Sequence, residues 1–326
     1  MARTLSGIKP TGPLTLGRYL GAVRHWVDEQ SNGEAFYFVA DLHALTTVQE
    51  PGEVAARTVE LATLLVAAGV DPAKGSTVFV QSHVRQHAEM TFMLECVTSF
   101  GELRRMTQFK DKSGEQDFVS GGLFTYPVLM AVDILLYGIE RVPVGDDQRQ
   151  HLELTRTIAQ RFNSRYGDTF VLPEAVVPPI AARIKDLQDP TRKMSASSTA
   201  GPGVIDMLDP VDDIVKKIRR ATTDTVGAVS YDAETQPGVA NLLDILGACT
   251  DEDPEKLVER YDGYGQLKAD CADAVLDVVR PIQDRYRELE RSGAMGSLLA
   301  DGAKHAGGIA ELAIRRAQAN RGLWAG

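Results

Sequence analysis

Ala35-Phe36-Tyr37-Phe38-Val39-Ala40, a run of aromatic and β-branched residues between Glu34 and Asp41, reads as a buried strand. Outward from it, Pro51 to Gly69 reads as a helix. Pro51 suits the first turn, Val54, Leu61, Leu65 and neighbouring alanines supply an apolar face, and a glycine closes it. Ser76 to Gln81 is the next strand, and Arg3 to Ile8 is an earlier one. Strand, helix and strand in that order build a parallel sheet covered by helices. A short strand over Glu140 to Val144 then leads through Gly145-Asp146-Asp147-Gln148 into another helical stretch. The expected fold class is α/β, a Rossmann-type doubly wound parallel sheet with a C-terminal all-helical domain.

Beyond Asp209 strand signals nearly vanish, while Val211 to Thr222, Ala240 to Ala248, Pro254 to Tyr261 and Leu267 to Arg291 carry helical periodicity. Pro281 is expected to kink or break the longest of these. The expected division is a catalytic domain over 1–205, a helical domain over 206–293, and a C-terminal helix over 294–326 that packs back on the first. Gly101 to Gly122 is polar, has no strand signal and is longer than an ordinary connection. Asp189 to Gly203, rich in small residues and proline, reads as a mobile loop or boundary.

At 326 residues, with 44% hydrophobic and 25% charged residues, the chain has the makings of about two folded domains and none of a disordered or collagenous protein. No apolar run approaches the ~20 residues that span a bilayer, and the N-terminus leads straight into a strand, so a cytosolic protein without a membrane partner is expected. A net charge of −10 argues against a protein that coats nucleic acid through bulk charge, and DNA is not an expected partner. Local patches at Lys216 to Arg220 and Ile314 to Arg316 leave phosphate contact open beside the plainer reading as solvated helix faces. Cys96, Cys249 and Cys271 are too widely spaced for a zinc site or disulfide framework, and buried free thiols are expected. No dedicated metal site is expected.

Four short segments suit chemistry. Gly7 to Arg18 joins the first strand to a helix starting near Gly17: its glycines allow close backbone approach, Thr15 suits a helix cap, and helix N-terminal amides attract phosphate. A bare tight turn is the alternative. In Thr191-Arg192-Lys193-Met194-Ser195-Ala196-Ser197, a lysine on a flexible arm suits charge neutralisation as pyrophosphate leaves; a solvated surface loop is the alternative. Tyr126, Met130, Asp133 and Tyr137 share one helical face, which sets a carboxylate among aromatic and thioether groups. An indole N–H only donates, so such an acid reads tryptophan by accepting that bond and rejects phenylalanine, which lacks the donor. A structural ion pair or hydrogen bond from Asp133 is equally open. Lastly, Val142 to Gln148 is a strand, turn and helix start, where doubly wound sheets bind ligands; Asp146, Asp147 and Gln148 suit ribose hydroxyls or an ammonium.

Taken together and in this order, the segments resemble the tryptophanyl-tRNA synthetase family along nearly the whole chain. Ser6 to Gly17 is similar to the family's class I HIGH signature, and Lys193 to Ser197 to KMSKS. Asp41 to Ala44, Gly101 to Leu103, Met106 to Lys110 and Arg280 to Gln283 extend the likeness. The resemblance implies an enzyme that activates tryptophan with ATP and charges tRNA(Trp), homodimeric and dependent on Mg2+. It implies that Lys9, Pro10, Thr11, Gly17, Arg18, Gly145, Asp146, Asp147, Ile184, Lys193, Met194, Ser195, Ala196 and Ser197 surround ATP. Within that set it implies that Gly17, Arg18, Lys193 and Ser195, joined by Lys112, act in catalysis. Asp133 would bind the indole nitrogen, with Tyr126, Met130, Gln148 and His43 lining the pocket, and the helical domain would read the anticodon.

Three departures fall at the ATP end: Ala196 replaces the second lysine of KMSKS, Lys9 stands where glutamine is common, and Arg18 where asparagine is usual. One cation is lost and two are gained. One expectation is that Lys9 or Arg18 compensates for Ala196; another is an auxiliary synthetase tolerant of a tryptophan-like inhibitor. Two rival readings stay open at this point, a tyrosyl-tRNA synthetase and a synthetase-derived binding protein without catalysis.

Overall fold

The structure, a computed structural model, describes residues 3–48, 50–114, 118–143, 148–176, 183–194 and 201–324, with the backbone alone at 111–113. Its centre is a parallel sheet of β1 (Arg3–Ile8), β2 (Glu34–Val39) and β3 (Ser76–Val80), in that spatial order. Arg3 lies opposite Glu34, and Ala35 opposite Ser76. An ion pair at 2.6 Å from Arg3 Nε to Glu34 pins the first register.

On the far side of β1 lies β4 (Arg141–Pro143), itself parallel to β5 (Glu174–Val176). The chain therefore runs outward from β1 to β3, then returns to add strands on the opposite flank. That reversal makes a crevice at the carboxyl ends of β1 and β4, where sheets of this type hold ligands.

Alternation along the strands feeds two cores. Phe36, Phe38 and Phe79 face one side with α5 (Gln86–Glu95), α8 (Gly121–Leu135) and α9 (Arg149–Tyr166). Ala306, Ala310, Ile314 and Ala317 of α14 (Met295–Arg321) complete that core. Helix α14 lies so close to β3 that a Cβ on Gly302 would come within 1.9 Å of the Val78 carbonyl oxygen.

Tyr37, Val39, Val78 and Val80 face the other side, against α4 (Glu53–Ala67). The same apolar cluster continues through α10 (Val211–Arg219), α11 (Pro237–Thr250), α12 (Pro254–Leu257) and α13 (Tyr264–Ser292). Helix α13 runs unbroken through Pro281, so of the two outcomes the sequence suggests, a kink or a break, the break does not occur. Pro281 and Asp277 are both exposed, so the Asp277 carbonyl freed by the missing N–H is open to water and the helix need not end.

The polar connection after Gly101 is also more regular than its composition suggests. It carries α6 (Phe100–Arg104) and α7 (Thr107–Ser113). Ser99 and Glu102 form a reciprocal capping box that starts α6. Of the cysteines only Cys271 is buried; Cys96 is exposed and Cys249 half-buried. Among the described residues no helix is long and apolar enough to cross a membrane.

Candidate active site

Because β1, β2 and β3 run parallel, their carboxyl ends deliver Lys9, the short helix α3 (Asp41–Ala44) and Gln81 to one edge of the sheet. Helix α8 passes this edge and presents Asp133, which is 4% exposed. Its Oδ1 accepts from Gln81 Nε2 and from His87 Nδ1, both at 2.7 Å. Its Oδ2 accepts from His43 Nε2 at 2.8 Å. An ionised carboxylate only accepts, so each imidazole nitrogen facing it carries a proton. Burial alone pushes the Asp133 carboxyl upward, but the charges and hydrogen bonds of His43 and His87 outweigh it and hold the group below the ordinary carboxylate range.

Around that acid the side chains grade from sealed to open. Tyr137 is fully buried against Phe36, and its hydroxyl lies 2.8 Å from His87 Nε2. Tyr137 thus belongs to the core rather than to a cavity wall. One turn before Asp133, Met130 is half-buried. Tyr126 stands edge-on to His43, with ring centres 6.4 Å apart. Its hydroxyl lies 2.9 Å from His151 Nε2 and 3.2 Å from Gln108 Oε1, and burial pushes its phenol up to about 12. Gln148 is half-buried at the start of α9.

The loop after β1 makes the second part of the site. Pro10 is buried, while Lys9 and Thr11 are half-buried. Thr15 caps α1 (Leu16–Arg18), its hydroxyl accepting from the Arg18 amide at 3.2 Å. The helix continues through a widened turn at Tyr19–Val23 into α2 (Arg24–Glu29). Gly17 permits a tight seam: a Cβ there would lie 3.2 Å from Met194 Cβ and 3.5 Å from Ile184 Cβ. Met194 in turn donates its amide to the Ile184 carbonyl at 3.1 Å, and Lys185 bridges Lys193 in antiparallel fashion. Gly17, Ile184 and Met194 are thereby brought together, with Lys193 exposed beside them.

Arg18 is half-buried, and burial lowers its guanidinium. Its Nη1 is enclosed without a hydrogen-bond partner among the described residues. A cation in that state lacks the counter-charge that burial demands, and an anionic ligand would supply one.

Gly145, Asp146, Asp147, Ser195, Ala196 and Ser197, named from the sequence, lie outside the described residues, as does the side chain of Lys112. Two polar residues that the sequence did not single out, Gln81 and His87, sit directly on Asp133. The readable signal was Gln81's place at the carboxyl end of a buried strand, where a polar residue interrupts an apolar run. His87 carried no such mark. Among the described residues no group of three or more His, Cys, Asp or Glu is arranged to hold a metal ion.

Comparison with known proteins gives consistent relatives. The family of tRNA synthetases class I (W and Y) matches residues 1–280. The tryptophan--tRNA ligase 1 of Streptomyces avermitilis is 49% identical over 329 residues, covering 99% of each chain. Among solved structures, the tryptophanyl-tRNA synthetase of Mycoplasma pneumoniae is 37% identical with a TM-score of 0.89, over 99% of this chain and 98% of that one. That of Campylobacter jejuni, complexed with ADP and tryptophan, is 34% identical with a TM-score of 0.86, over 98% of this chain and 100% of that one.

Proposed function

The chain belongs to the class I tRNA synthetases for tryptophan and tyrosine, and from that premise we propose how its residues divide the work. It activates L-tryptophan with ATP, giving tryptophanyl-adenylate and pyrophosphate, and passes tryptophan to tRNA(Trp). In the first step the tryptophan carboxylate attacks the α-phosphorus in line and pyrophosphate departs. The adenylate then acylates the terminal adenosine of the tRNA. Such chemistry needs positioning and charge stabilisation more than a protein nucleophile. Magnesium enters with ATP.

The observation that carries the substrate reading is Asp133: a buried carboxylate held ionised, with three protein donors in place and acceptor capacity left for one more. We assign the indole N–H to that acceptor, with His43, Tyr126, Met130 and Gln148 around the ring and the amino-acid end. A phenol would satisfy a carboxylate too, so tyrosine is the competitor to test. Amino-acid-dependent exchange of labelled pyrophosphate into ATP, run across the protein amino acids, should respond to tryptophan alone. Exchange driven by tyrosine, or silence with all of them, would overturn the assignment.

For the nucleotide we assign Lys9 to Thr11, Gly17, Arg18, Ile184 and Lys193 to Ser197, with Gly145 to Asp147 at the ribose and Lys112 reaching the phosphates. Lys193, Ser195, Lys112, Gly17 and Arg18 would act on the departing charge. The enclosed Nη1 of Arg18 supports this, because a phosphate oxygen is the partner it lacks. The division into a catalytic domain over 1–205, an anticodon-binding domain over 206–293 and a returning C-terminal helix is part of the same reading, as is a cytoplasmic homodimer. Phe92 and Phe100, 70% and 67% exposed, would be covered by the second copy.

A second reading rests on Lys9 beside the pocket: an auxiliary form tolerant of a tryptophan-like inhibitor. Inhibition by indole-based analogues as strong as in a relative bearing glutamine at this position would remove it.

A further inference from the structure

The three bonds to Asp133 are unevenly shared between its two oxygens. Each carboxylate oxygen offers about two acceptor directions. Oδ1 uses both, one for Gln81 and one for His87, whereas Oδ2 uses one, for His43. The donors also differ in depth. Gln81 and His87 are fully enclosed, at 0% exposure, while His43 reaches the surface at 8% and faces the Tyr126 ring. The saturated oxygen is therefore held by the two fully enclosed donors, and the unsaturated one by the donor nearest the surface.

We propose that Gln81 and His87, with Tyr137 behind His87, are positioning residues that saturate Oδ1 of Asp133 and so reserve Oδ2 for the indole N–H. This rests on the assignment of tryptophan to Asp133.

Two features of the network support it. The Gln81 amide has its orientation fixed by Asp133, since a flipped amide would set Oε1 against Oδ1, acceptor against acceptor. Its Oε1 is buried without a hydrogen-bond partner among the described residues, where the bond to the acid is the one this fully enclosed amide makes. An apolar side chain would serve packing as well without an orphaned acceptor. His87 is oriented from both ends: Nδ1 donates to Asp133, and Nε2 meets the Tyr137 hydroxyl. Asp133 only accepts, so Nδ1 carries a proton, and the Tyr137 phenol, which burial keeps protonated, partners Nε2 as acceptor or donor and holds the ring in plane with the acid. The chain Tyr137 to His87 to Asp133 thus holds an Nδ1–H on Oδ1, with no freedom for the carboxylate to turn about its terminal bond.

The test compares tryptophan with its benzothiophene analogue, in which sulfur replaces the ring N–H, by titration calorimetry on the full chain. Wild type should prefer tryptophan strongly. Gln81→Met, close in volume but without the donor, should lower that preference about tenfold by weakening tryptophan while leaving the analogue and ATP unchanged. Tyr137→Phe keeps the packing and removes only the hydroxyl; it should lower the preference about threefold. A preference unchanged in Tyr137→Phe, with both ligands bound as in wild type or both weakened together, overturns the proposal, whether or not Gln81→Met folds. Wild type that binds the two ligands equally would be a different failure, because it removes the indole assignment itself.

Discussion

The amino-acid end of this site and its nucleotide end solve recognition in opposite ways. Around Asp133 the protein supplies nearly everything: three donors on one carboxylate, drawn from α3, the end of β3 and α5, with a further hydroxyl behind. Around Arg18 it leaves the key group incomplete, an enclosed guanidinium nitrogen without a partner among the described residues, beside a seam made of backbone and a glycine. The chemistry of the ligands explains the contrast. One N–H on an aromatic ring is a weak handle and is read only by an acceptor already aimed, whereas a polyphosphate carries enough charge to complete a site that awaits it.

That contrast can be broken most directly at the acid. Asp133→Ala should lower kcat/KM for tryptophan about a thousandfold or more in pyrophosphate exchange, since a polar-reading site loses its reader. A loss below about tenfold would mean the ring is read elsewhere. Arg18→Met should cost about a hundredfold in the activation rate while tryptophan affinity stays put. Loss of tryptophan binding instead would show that the two ends are not separable. Restoring the missing lysine sharpens the same point: Ala196→Lys, with Lys9 and Arg18 kept, should gain less than about tenfold in single-turnover activation. A gain of about a hundredfold would rule out compensation by Lys9 and Arg18. Gly17→Ala presses a methyl group to 3.2 Å from Met194 Cβ and 3.3 Å from its carbonyl oxygen. Overpacking of that kind should cost about 1 to 3 kcal/mol in urea denaturation, and a neutral result would show the seam to be loose.

The smallest effect concerns pH. The Asp133 carboxyl is held below its ordinary value of 3.8, so its contribution to stability is fully present above that value and is lost as pH falls through the lower folded one. The difference in unfolding free energy between wild type and Asp133→Asn should therefore shrink as pH drops below 3.8. A difference that stays constant into that acid range would show that the histidines do not hold the acid charged.

What the sequence disclosed, and what it kept back, follows the same division between local and distant. The three strands of the main sheet are legible because alternation and β-branched content are properties of neighbouring residues: Phe36, Phe38 and Phe79 had to face one core, Tyr37 and Val39 the other. Segments read by composition fared less well. Polarity after Gly101 concealed two helices, although Ser99 and Glu102 carried the spacing of a capping box. Pro281 suggested a kink or a break because a missing N–H is a local fact, while the exposure that lets the helix continue is a tertiary one. In the site, Asp133 stood out by its apolar surroundings on one helix. Gln81 and His87 reach it from 52 and 46 residues away, and nothing in their own neighbourhoods announces that meeting.

The close fit of Gly302 on Val78 bears on how the protein comes into being. Synthesis proceeds from the N-terminus, so the central sheet emerges from the ribosome long before the segment that covers its outer strand. Until residues 306–317 have been made, Phe36 and Phe79 lack part of their packing, and the early half of the chain must wait, partly bare, for the last helix to arrive. Interrupted translation would then yield a sticky fragment rather than a smaller enzyme, which makes completion of the chain a condition for completion of the first core.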